Sequence, residues 1–255
     1  MLGCTLFERM PRLVRLTTIG RAFLSRTQNI LRSVDELGDL ARAAQDDLIG
    51  QLRIGVIPTI APYLLPSIIS QLAQEFGSID IHIRETMTST LLQEISDGRI
   101  DTAIVALPIS EPTLTEVALF KENFVFVRPE IDRDKPVPDR DTLREMQILL
   151  LEEGHCFRDQ ALSFCNIQPN LSQKTLDATS LSTLVQMVGA GLGVTLIPEM
   201  AIPIETRSAP VAISNFANPQ PSRTIGMIWR KTSPLSQHYL RISNIVRQSA
   251  IKLGG

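Results

Sequence analysis

The chain of 255 residues carries 25 Lys and Arg against 27 Asp and Glu, a net charge of −2, with 44% hydrophobic and 20% charged residues and a mean hydropathy near zero. This composition suits a soluble globular protein with room for one or two domains. The apolar runs fall short of the roughly 18 residues a membrane helix needs, and the arginine-bearing N-terminus lacks the apolar core of a signal peptide, so membrane and export classes are excluded and a reducing cytoplasm is the expected location.

The charge is unevenly spread. Residues 1–32 hold six arginines against one acid, a net of +5, while the 19 basic and 26 acidic residues that follow leave −7. A polyanion is the natural partner of so basic an end, the plainer alternative being a solvated face. From 18 to 48 the pattern is helical. Phe23, Thr27, Ile30, Val34, Leu37, Ala41, Ala44 and Leu48 recur at alternating steps of four and three, a coiled-coil seam that wants a partner, with Arg26, Arg32, Asp35 and Glu36 off it. The alternative is a single amphipathic helix lying on its own domain.

After Gly50 the chain alternates between strand and helix. Strands are expected at 52–57, 79–85 and 100–107 and helices at 64–76 and 90–96, an order that implies a parallel sheet with helices on both faces. The second half is less regular: strands at 124–127 and 148–151, a helix near Arg158, a strand at 174–176, a helix at 181–188, strands at 194–197 and 224–229, and a closing helix at 237–252. The segment 132–141, rich in charge and proline, reads as an exposed loop. Gly189, Gly191 and Gly193 follow a helix and precede a strand, the reverse of the order that aims amides at a pyrophosphate, so a tight turn is expected there. His82 and His238 are isolated and read as ordinary residues.

Two of the three cysteines, Cys156 and Cys165, sit nine positions apart around a polar segment. Cys156 has His155 and Arg158 beside it and a helix-like run beginning after it, surroundings that favour a thiolate, so the segment is a candidate redox switch. Were 156–165 helical throughout, the two Cα atoms would stand roughly 13 Å apart, beyond the roughly 7 Å limit of a disulfide, and joining the sulfurs would have to unwind the segment. The plainer alternative is a pair of small buried hydrophobes. The C-x8-C spacing lacks the further ligands of a zinc site, C-x-x-C is absent, and neither metal nor cofactor is expected. Cys4 reads as core-facing.

The residues from Gly154 to Gln160, with Phe164 and Cys165, closely resemble the sensing loop of the peroxide-responsive branch of the LysR-type bacterial transcription regulators. The resemblance extends over Arg53 to Thr59, Pro62 to Pro66, Thr179-Ser180-Leu181 with Gly191 and Gly193, and Arg223 to Gly226, in the family's order. It implies an α/β fold: a two-lobed regulatory domain like a periplasmic binding protein, preceded by a linker helix and a remnant of a winged helix-turn-helix. The implied boundaries are 1–17 for the remnant, 18–49 for a linker helix that dimerises the chain, and 50–255 for the sensing domain, with lobe I at about 50–126 and 224–255 and lobe II at about 127–223. The family's reading helix would precede Met1, so specific operator binding is not expected of the sequence as given.

The same resemblance assigns roles. Hydrogen peroxide is the implied effector, Cys156 the sulfur it oxidises, and Cys165 the partner that closes a disulfide. Thr59 and Thr88 would place hydroxyls near the peroxide, His155 and Arg223 position it and favour the thiolate, with Arg158 nearby, and Asp159 and Gln160 hold the loop. Promoter DNA would meet Arg9, Arg12 and Arg15 if the missing N-terminus is present; a homodimer or homotetramer, RNA polymerase and a thiol-reducing system are the other implied partners. An enzyme is not expected, though a thiol peroxidase or cysteine hydrolase using Cys156 and His155 stays open, as does a regulator that senses a small metabolite between the lobes.

Overall fold

The structure, a computed structural model, describes residues 3–10, 13–43, 50–77, 79–165 and 176–253. It opens with an antiparallel pair, β1 (Phe7–Met10) and β2 (Leu13–Leu16), followed by a 26-residue helix, α1 (Thr18–Ala43). Thr17 joins them: its hydroxyl donates to the Thr5 carbonyl at 2.8 Å and accepts from the Gly20 amide at 2.9 Å, capping the helix against the pair. Gly20 is required at that contact, because a Cβ there would lie 2.1 Å from the Leu6 carbonyl oxygen. Along α1, Phe23, Ile30, Val34 and Leu37 of the expected seam stand exposed. Seam positions Ala44 and Leu48 lie outside the described residues, as does Arg12.

The body follows as β3 (Gly50–Val56), α2 (Ala61–Glu75), β4 (Ile79–Glu85), α3 (Thr88–Ser96), β5 (Thr102–Leu107) and the 16-residue β6 (Leu114–Pro129). Next come α4 (Arg140–Glu145), β7 (Leu150–Leu151), α5 (Cys156–Cys165), β8 (Asp177–Ala178), α6 (Leu181–Gly189), β9 (Thr195–Pro198), α7 (Ile202–Glu205), β10 (Val211–Asn215), β11 (Ser222–Arg230) and α8 (Ser236–Leu253). The main sheet runs β10-β6-β11-β5-β3-β4, with β9 also pairing β6. The three strands of the expected parallel sheet, β3, β4 and β5, are parallel, and the whole sheet is mixed because further strands join it antiparallel. β11 is antiparallel to both β5 and β6, because the chain re-enters the first lobe in the opposite direction after its excursion through the second.

Two hydrophobic cores define two lobes. One packs β3, β5 and β11 against α2, α3 and α8 around Leu64, Ile68, Trp229 and Tyr239; the other gathers Phe124, Phe126, Phe157, Leu184 and Val185. β6 belongs to both, contributing Leu114 and Leu119 to the first core and Phe124 to Val127 to the second. Its first half pairs with β11 and its second with β9 and β10.

Other expectations change in detail. Of the strand expected at 174–176, residues 174 and 175 lie outside the described residues, and the strand observed nearby is β8, parallel to β7. The loop expected at 132–141 ends in structure: the Asp139 carboxylate accepts the Thr142 amide at 2.8 Å and starts α4. Cys4 is exposed rather than core-facing. The turn after α6 is built as expected, with Gly191 at φ +78°.

Candidate functional site

The turn between β7 and α5 places the chemistry. Gly154 sits at φ +95°, a conformation that disfavours side chains, and a Cβ there would come within 2.6 Å of Met87 Sδ. Glycine therefore lets the chain double back against the start of α3, bringing His155 and Cys156 to the lobe junction. A small cavity of about 10 Å³ is lined there by Thr59, Met87, Thr88, His155, Cys156 and Phe157 among others.

Each polar wall of the cavity has a definite state. Thr59 Oγ1 accepts from Arg223 Nη1 at 2.8 Å, and the Thr59 carbonyl accepts from Nη2 at 3.0 Å. A hydroxyl that accepts one bond still has its own hydrogen to donate. Thr88 Oγ1 is buried with no hydrogen-bond partner. Burial pushes the His155 imidazole below its usual value, and the charge of Glu152 pulls it back only in part, so His155 is neutral at pH 7 and able to take a proton.

Behind the cavity lies a buried ion pair. Arg223 Nε donates to Glu122 Oε2 at 2.7 Å, with the two side chains 0% and 4% exposed. Glu122 also accepts the Met200 amide at 3.3 Å. Burial pushes its carboxyl up and Arg223 draws it down. The guanidinium carbon stands 5.9 Å from the Phe124 ring centroid and 5.6 Å from that of Phe157.

Other expected site residues are placed elsewhere. Arg158 Nη1 donates to the Leu151 carbonyl at 2.7 Å and to Asp177 Oδ1 at 2.8 Å, tying α5 to the small β7–β8 sheet. Asp159 and Gln160 border a separate hollow with Phe124 and Phe164, and the Gln160 Oε1 atom is buried without a partner. Arg9 and Arg15 lie exposed on β1 and β2.

The expected Cys156–Cys165 disulfide is overturned. All three cysteines are free, and Cys156 and Cys165 occupy the first and last positions of one unbroken helix, about 13 Å apart at 1.5 Å per residue. Cys165 is 1% exposed, and burial pushes its thiol up to about 11, so it is protonated at neutral pH and walled off from attack.

Outside the small cavity opens a cleft of about 350 Å³, bordered by both lobes. Tyr63 on α2 donates to Glu205 Oε1 at 2.6 Å and Ser182 on α6 donates to Glu205 Oε2 at 2.5 Å, so one carboxylate ties the lobes across its rim. Sequence reasoning missed Glu122, Glu205 and Met87. A lone acid or methionine carries no signal of the partner that folding brings to it. Among the described residues no cluster of acidic, histidine or cysteine side chains could hold a metal ion, and no helix is long and apolar enough to cross a membrane.

A family model described as the LysR substrate binding domain matches residues 45–250. A probable hydrogen peroxide-inducible genes activator from Streptomyces viridosporus is 38% identical over 97% of this chain and 81% of its own length. The DNA-binding transcriptional dual regulator OxyR of Escherichia coli K12 is 37% identical over 96% of this chain and 81% of its own. Among solved structures, a cysteine-to-serine variant of OxyR from Corynebacterium glutamicum, with H2O2 bound, superposes with a TM-score of 0.79 at 33% identity, covering 99% of this chain and 80% of that one.

Proposed function

This chain belongs to the LysR-type family of transcription regulators, and from that premise we propose that it is a cytoplasmic regulator whose Cys156 thiol reacts directly with hydrogen peroxide. Family membership makes it a regulator rather than an enzyme. The observation that carries the peroxide reading is the unpartnered, buried Thr88 hydroxyl in the same small cavity as Cys156, Thr59 and His155. A buried hydroxyl left without a partner is costly, and a two-oxygen ligand would satisfy it. The similar regulator from Corynebacterium glutamicum holds H2O2.

The step uses Cys156 alone. Its thiolate attacks one peroxide oxygen, an S–O bond forms as the O–O bond breaks, and the other oxygen leaves as hydroxide and takes up a proton to become water, leaving a sulfenic acid. Thr59, held by Arg223, donates toward the departing oxygen, where charge develops. Thr88 holds the second oxygen, and the neutral His155 handles the proton. Arg158, Asp159 and Gln160 take no part in the transfer; Arg158 anchors α5, whose first turn carries the modified sulfur. A cellular thiol system restores the thiol.

A brief, near-stoichiometric peroxide pulse with a sulfenic-acid trap, followed by peptide mapping, tests this. The adduct is expected at Cys156 in the parent and in Cys165→Ser, and not in Cys156→Ser. Absence of an adduct at Cys156 in the parent sinks the reading.

Promoter DNA is the partner for the basic end where the family's reading helix accompanies it; Arg9 and Arg15 would then neutralise phosphates, with RNA polymerase as the further partner of a bound regulator. Self-association runs through α1, whose Ile30, Val34 and Leu37 are 65%, 58% and 65% exposed, a row too apolar to face water in the working protein. Val34→Lys sets a cation in that row and should sediment as a smaller species than the parent; unchanged assembly would place the contact elsewhere.

A further inference from the structure

We propose that Met87 sets the size limit of the oxidant, admitting hydrogen peroxide to Cys156 and shutting out organic hydroperoxides. The inference rests on the peroxide reading of the small cavity. That cavity and the larger cleft share four wall residues, Pro58, Thr59, Met87 and His155, which therefore form the partition between about 10 Å³ at the thiol and about 350 Å³ outside it. Three of the four are fixed. Pro58 is a closed ring, Thr59 is held by two bonds from Arg223, and His155 is 7% exposed in the turn before α5. Met87 alone has a long, unbranched, half-buried side chain.

Its thioether end lies against Gly154, where a Cβ would stand 2.6 Å from Sδ, so glycine at 154 leaves the space that the methionine fills. Met87 immediately precedes α3, whose first residue, Thr88, supplies the unpartnered hydroxyl. Its backbone is thus fixed relative to the ligand. In hydrogen peroxide the departing oxygen carries only a hydrogen. An organic hydroperoxide carries an alkyl group on it, and the group would have to occupy the volume taken by the Met87 side chain. A steric wall of this kind discriminates by roughly 10–200-fold per group excluded.

The test measures loss of the Cys156 thiol in the full chain with hydrogen peroxide and with tert-butyl hydroperoxide, each rate divided by that of free N-acetylcysteine with the same oxidant. The parent is expected to prefer hydrogen peroxide by about tenfold or more. Met87→Ala should bring the two normalised rates at least about tenfold closer while the hydrogen peroxide rate stays within about threefold, and Met87→Leu, of similar bulk, should keep the preference. If Met87→Ala folds poorly and loses both reactions, the milder Met87→Val carries the comparison. A parent without preference, or a shortened side chain that leaves the preference intact, overturns the gate alone. A parent in which Cys156 fails to react with hydrogen peroxide overturns the peroxide reading and the gate with it.

Discussion

Arg223→Ala should destabilise the protein by about 3–5 kcal/mol and slow oxidation of Cys156 by a factor on the order of 100. The stability loss follows from what remains: Glu122, 4% exposed, keeps its burial and loses its one charged partner. The rate loss follows from Thr59, whose hydroxyl is oriented by the same guanidinium. The two effects separate in a double variant. Glu122→Gln with Arg223→Met removes the stranded charge and should recover much of the stability in thermal or denaturant unfolding, because exchanging a buried pair for neutral groups is often close to neutral. The peroxide rate should stay low, since nothing then holds Thr59. A double variant that recovers the rate along with the stability would reduce Arg223 to a structural residue.

Phe157→Ala is the second large effect, with an expected cost of about 3–5 kcal/mol. The ring is 2% exposed and stacks edge-on against Phe124 with centroids 4.9 Å apart, while Arg223 lies over its face. Its loss empties space in the second core immediately beside Cys156. The small cavity, which Phe157 lines, then grows, so the thiol should become reactive toward reagents the parent excludes, a bulky maleimide among them, even where the variant remains folded. Unfolding curves and maleimide labelling under native conditions measure the two consequences. Unchanged labelling in a destabilised but folded variant would show that the neighbouring side chains collapse into the space.

How far these features could be read from the chain depends on the range of the interaction behind them. Elements whose period comes from their own residues were legible: β3, α2, α6 and α8 follow from apolar spacing alone. The first half of β6 was not, because Thr115, Glu116, Lys121 and Glu122 interrupt its apolar pattern, and what makes it a strand is pairing with β11 a hundred residues later. β10 is five residues ending in Ser214 and Asn215, too short and polar to announce itself. At the site, His155 and Cys156 drew attention by their own chemistry. Thr59, Thr88 and Arg223 became candidates through family resemblance, since a contact across 164 positions leaves no local mark. The disulfide is what family resemblance implies, against the spacing itself: read as a helix, the nine-residue interval already sets the sulfurs too far apart, and the structure keeps that helix unbroken while burial holds Cys165 as a thiol.

The long strand that serves both cores has a consequence for how such a molecule can be altered. The chain leaves the first lobe just after Asn123 and returns at Ser222, and these two residues face each other as neighbours in the β6–β11 ladder. The whole second lobe is therefore an excursion between two points already held together, much as a loop is held by the hairpin beneath it. Its length and composition can change, or be exchanged for a homologous lobe with a different pocket, without moving the pairing of any first-lobe strand. New specificities can arise in such a molecule by graft as readily as by point substitution.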